Sequence, residues 1–158
     1  MEIYNIKIPI DDPEKIVFRL GGILLIDDTL PIWFYPVIKK NLDVSEFTLV
    51  ISKYETIEEK LRKIIMGIGH LFLHMGYKIN DELWNSYTKE YKTSGYTEFI
   101  EAEEFLYDFV MPLNLFKTIV YENTDRHSLE VDIKKVADFF NVPTSWVLIR
   151  GKRLHMIE

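Results

Sequence analysis

Apolar positions along this chain change their spacing as it proceeds, and the change marks out the elements. Asp11 or Asp12 can cap a short first helix, with Pro13 in its opening turn and Gly21-Gly22 at its close. Short apolar runs follow. Residues 23–26 are continuously apolar, 32–35 are rich in β-formers, and Phe47-Thr48-Leu49-Val50-Ile51 is the strongest strand candidate. The period then becomes helical. Thr56 and Glu59 have capping-box spacing. Leu61, Ile64, Ile65, Ile68, Leu71, Phe72 and Met75 recur at three and four, so one broad face of this long helix is buried. Gly76 is its expected stop. A short helix is expected over 81–91, a loop over 92–95, a periodic helix over 98–110 ended by Met111-Pro112, and another helix over 113–121.

In the tail, Val131, Val136, Ala137, Phe139 and Phe140 build an amphipathic helix that Asn141-Val142-Pro143 interrupts. Thr144 is expected to cap a second helix carrying Trp146, Val147 and Ile149, with Gly151 ending it. The outline is a helix-turn-helix pair. Strands first and helices after predict an α+β fold. The 158 residues suit a single domain, with 1–125 as its core and 126–158 as a C-terminal helical extension.

Composition narrows the function classes. Apolar residues make up 47% of the chain, which is enough for a packed core. The net charge of −6 argues against non-specific DNA binding, which needs a basic surface, although Lys152 and Arg153 could form a small patch. With no Cys, the chain has no disulfide, thiolate metal site or thiol nucleophile. The start of the chain lacks the basic and apolar regions of a signal peptide, and no apolar run approaches the roughly 20 residues of a membrane span. The expectation is a soluble cytoplasmic protein.

Candidate chemistry sits on the long helix, at Met66-Gly67-Ile68-Gly69-His70-Leu71-Phe72-Leu73-His74. A zinc peptidase helix carries His-Glu-x-x-His, in which two imidazoles on one face hold the metal and the Glu activates water. Aligned on His70, that motif places Met66 at the first ligand and Gly67 at the general base. Thioether is a poor zinc ligand, and glycine has no side chain to act as a base. Gly67 and Gly69 each cost about 1 kcal/mol in a helix relative to Ala, which suggests close packing against a neighbour.

In order along the chain, these segments resemble the ImmA/IrrE family of metallopeptidase-like proteins. The helix above is similar to that family's His-Glu-Leu-Gly-His-Leu-Leu-Leu-His. Glu101-Ala102-Glu103-Glu104-Phe105-Leu106-Tyr107-Asp108-Phe109-Val110-Met111-Pro112 is similar to its Glu-Ala helix, and 136–143 to its Ala-x-x-Phe-x-Val-Ser element. The resemblance implies a small N-terminal sheet packed on a zincin-like helical core. It also implies a third zinc ligand at Glu101, or at Glu98 one turn earlier. With Met66 and Gly67 in place, the expected protein is a non-catalytic pseudo-metallopeptidase without a cofactor. In that reading His70 is a relic held by a carboxylate such as Glu101, and His74 caps or packs near the helix end. The partner implied is a protein, such as a repressor of a phage, mobile element or stress circuit. Two alternatives stand beside this reading. One is an active metal-dependent peptidase holding zinc with His70, His74 and Glu101 or Glu98. The other is a small transcription regulator reaching DNA with Thr144, Ser145, Arg150 and Lys152. Trp33, Phe34, Tyr35 and Trp146 are candidates for core or interface.

Overall fold

The computed structural model describes residues 7–31, 35–42, 45–88, 90–93 and 95–157. In chain order the elements are α1 (Pro13–Arg19), β1 (Gly22–Asp27), β2 (Val37–Lys40), β3 (Phe47–Ser52), α2 (Ile57–Leu73), α3 (Asp81–Ser86), β4 (Glu90–Lys92), α4 (Tyr96–Val110), α5 (Leu113–Glu122), α6 (Ile133–Phe140) and α7 (Thr144–Arg153). The fold is α+β. Contacts group the chain into two compact units that divide between Leu106 and Tyr107, the second also taking in the described residues up to Asp11.

The first unit is built on a four-stranded sheet in the order β1-β3-β2-β4. β1 runs parallel to β3, while β2 is antiparallel to both β3 and β4. Every residue of β3 is buried, as suits a central strand spelled Phe-Thr-Leu-Val-Ile-Ser. α2 lies on the sheet with all of 63–71 buried. Its start is the expected cap: Thr56 Oγ1 accepts from the Glu59 N–H at 3.2 Å. A Cβ on Gly67 would lie 2.5 Å from Leu49 Cδ1 of β3, and one on Gly69 would lie 3.0 Å from the Phe105 ring. Both glycines are where another chain segment comes too close for a side chain. α2 ends at Leu73, the backbone N–H of His74 caps it on the His70 carbonyl, and the chain turns at Gly76 with φ 72°. Tyr77 follows, fully buried, and donates its hydroxyl to the Leu20 carbonyl.

The second unit packs its helices through Phe116 and Phe140, whose rings are 5.9 Å apart, and through Tyr107 and Trp146, 6.3 Å apart. Asn141 forms the left-handed turn between α6 and α7 at φ 53°. Arg150 is buried and paired with Asp108. Among the described residues, no helix is long and apolar enough to cross a membrane.

Several expectations differ from what the fold contains. The helix expected over 81–91 stops at Ser86, because residues 90–92 pair with β2 as an edge strand. The strand expected at 32–35 falls mostly outside the described residues, and β2 lies at Val37–Lys40. Thr144 is the first residue of α7 and makes no capping hydrogen bond; Pro143 stands at the cap. Gly151 does not end α7. It lies inside the helix, where Ile157 folds back into the space a Cβ would fill.

The Gly67–Leu49 contact yields a stability prediction. Gly67→Ala should lower stability by about 1 kcal/mol, because overpacking outweighs the ~1 kcal/mol of helix propensity it gains. Urea unfolding of Gly67→Ala, alone and with Leu49→Ala, measures this. A single variant more stable than the parent would refute the close contact.

Candidate functional site

α2, β4 and the start of α4 bring six polar side chains together. His70 has no exposed surface, yet both its ring nitrogens have partners. Its Nδ1 lies 2.9 Å from His74 Nδ1, and its Nε2 lies 2.9 Å from Thr93 Oγ1. His74 Nε2 in turn lies 2.8 Å from Glu101 Oε2. Tyr91 of β4 donates its hydroxyl to Glu98 Oε2 at 2.8 Å, and its oxygen sits 3.2 Å from His70 Nδ1. The His74 ring stacks on Tyr91, with centroids 6.1 Å apart and planes 6° from parallel.

These contacts determine where the protons sit. The half-exposed Glu101 carboxylate only accepts, so His74 Nε2 carries the hydrogen. Tyr91 gives its hydrogen to Glu98, so its oxygen accepts from His70 Nδ1–H, which also meets His74 Nδ1. His70 Nε2 is left as an acceptor for the Thr93 hydroxyl. Donation therefore runs in one direction, from Thr93 through His70 and His74 to Glu101. Burial pulls the His70 pKa down to about 4, helped by the neighbouring His74 and opposed by Glu98, so the ring is neutral at ordinary pH. Burial also pushes the Tyr91 hydroxyl far up, and its bond to Glu98 adds to this. Tyr87, likewise raised by burial, donates to the His74 carbonyl at 3.0 Å.

The carboxylate expected on His70 is thus on His74 instead. Glu101 reaches His74 from a half-exposed position, and Glu98 reaches His70 only through Tyr91. Sequence reasoning missed Thr93 and Tyr91, which no motif marks; only recognition of β4 would have brought them to the site. Zinc does not fit these residues. Met66 offers only a buried thioether, Leu49 fills the space beside Gly67, and the His70 lone pair is taken by Thr93. Among the described residues, no three His, Asp or Glu side chains are grouped to hold a metal ion.

Met66 lines a cleft of about 220 Å³ together with Tyr35, Pro36, Glu59, Arg62, Lys63 and Phe99. Tyr35 and Phe99 meet edge-to-face at 5.5 Å, and Arg62 pairs with Glu103 at 2.9 Å. Tyr35 is half-exposed, Trp146 is buried, and Trp33 and Phe34 lie outside the described residues. On α7, Thr144, Ser145 and Lys152 are exposed, but the buried Arg150 has no reach into solvent.

No family model matches this chain, and no curated protein matches it. Among solved structures, the chain is similar to a Mycobacterium tuberculosis transcriptional regulator. The match has 14% identity and a TM-score of 0.57, and covers 94% of this chain and 43% of that one. The chain therefore spans less than half the length of that regulator, and the likeness is one of fold.

The buried histidine gives the stability a pH dependence. Between the ordinary His value of 6.5 and about 4, the unfolded chain binds a proton that the folded chain excludes. Stability should be complete above pH 6.5 and fall by about 3 kcal/mol as the pH drops to about 4. Denaturant unfolding across this range measures it, and His70→Gln should remove this part of the acid limb. An unchanged limb in that variant would show that His70 does not contribute.

Proposed function

We propose that this chain is a non-catalytic relative of the ImmA/IrrE metallopeptidases. It works by binding another protein, a repressor of a mobile element or stress circuit, and not by cutting it. One observation carries the reading: on α2, the position of the water-activating acid is Gly67, and Leu49 fills the room beside it. The neighbouring His70 is sealed by hydrogen bonds, which makes α2 a packing element. The cleft beside Met66, rimmed by the half-exposed Tyr35, is the surface offered to a partner side chain. Likeness in fold to a transcriptional regulator supports a place in transcriptional control.

The same likeness favours a second reading, a small regulator that touches DNA with α6 and α7. The net charge of −6 and the burial of Arg150 weigh against it. An active peptidase using His70, His74 and Glu101 lacks support, because the three do not converge on one point.

The test mixes the purified chain with repressor-like proteins encoded beside it. A stoichiometric complex should form with the repressor left intact, unaffected by chelator, and Tyr35→Ala should weaken it at least tenfold. One tightly held zinc per chain with chelator-sensitive cleavage would overturn the proposal. Salt-dependent DNA binding without repressor binding would favour the second reading.

A further inference from the structure

We draw no further inference here: the strongest candidate, the groove of about 1160 Å³ on the second unit lined by Leu129, Val131, Leu148 and Ile157, also carries Glu130 and Lys152 of opposite charge, and nothing in the structure shows what covers it.

Discussion

An imidazole with no exposed surface sets the terms for the first unit. His70 stands in the last turn of α2, and burial there excludes its charged form, so the ring must be neutral with both nitrogens satisfied. One nitrogen needs a donor and the other an acceptor. Thr93 supplies the first from the segment after β4, and Tyr91 of β4 supplies the second, shared with His74 one turn along α2. His74 can accept only because Glu101 holds its other hydrogen. One buried ring thus ties α4, through Glu101 and Glu98, and the short β4, through Tyr91, to α2. Tyr91, the central residue of β4, links the ring to Glu98.

The same helix shows how a glycine position is absorbed into a core. Gly67 and Leu49 are complementary: the side chain missing from α2 is replaced by one from the central strand. Packing at crystal-like density leaves no hole at the position, so the helix sits closer to the sheet than an acid there would permit. Met66 takes part on the opposite side of this arrangement, as the flexible wall of the cleft beneath Tyr35 and Phe99. The polar relay and the cleft are therefore separate features on one helix, set apart by the direction in which successive side chains leave it.

Much of the architecture was legible in the chain. α2 could be read from its capping box and apolar stripe, and β3 from its β-branched run, because each signal is local and the fold agrees with it. The glycines of α2 announced close packing without naming the neighbour. Residues 90–92 were not legible. Glu90-Tyr91-Lys92 has one apolar residue among charges and becomes a strand only because β2 offers it an edge, which is a tertiary cause. Gly151 misled for a related reason: glycine after a helical run signals a stop, and here it makes room for Ile157. At the site, His70, His74 and Glu101 could be named from spacing, but who holds whom depends on which carboxylate reaches inward, and periodicity does not decide that.

The C-terminal pair illustrates why a helix-turn-helix outline says little about DNA. A groove-reading helix needs its long basic side chains free at the surface. In α7 the central one, Arg150, is turned into the second unit and neutralised by Asp108, while Arg153 lies 4.8 Å from the Tyr107 ring centroid. A buried arginine is costly unless paired, so Arg150 depends on the exposed Asp108, and freeing it for a phosphate would take a buried side chain out of the core of the second unit. What α7 leaves in solvent is Thr144, Ser145, Leu148, Ile149, Lys152 and Arg153. Two short hydroxyls, two aliphatics and two cations share this surface, one of the cations held over the Tyr107 ring.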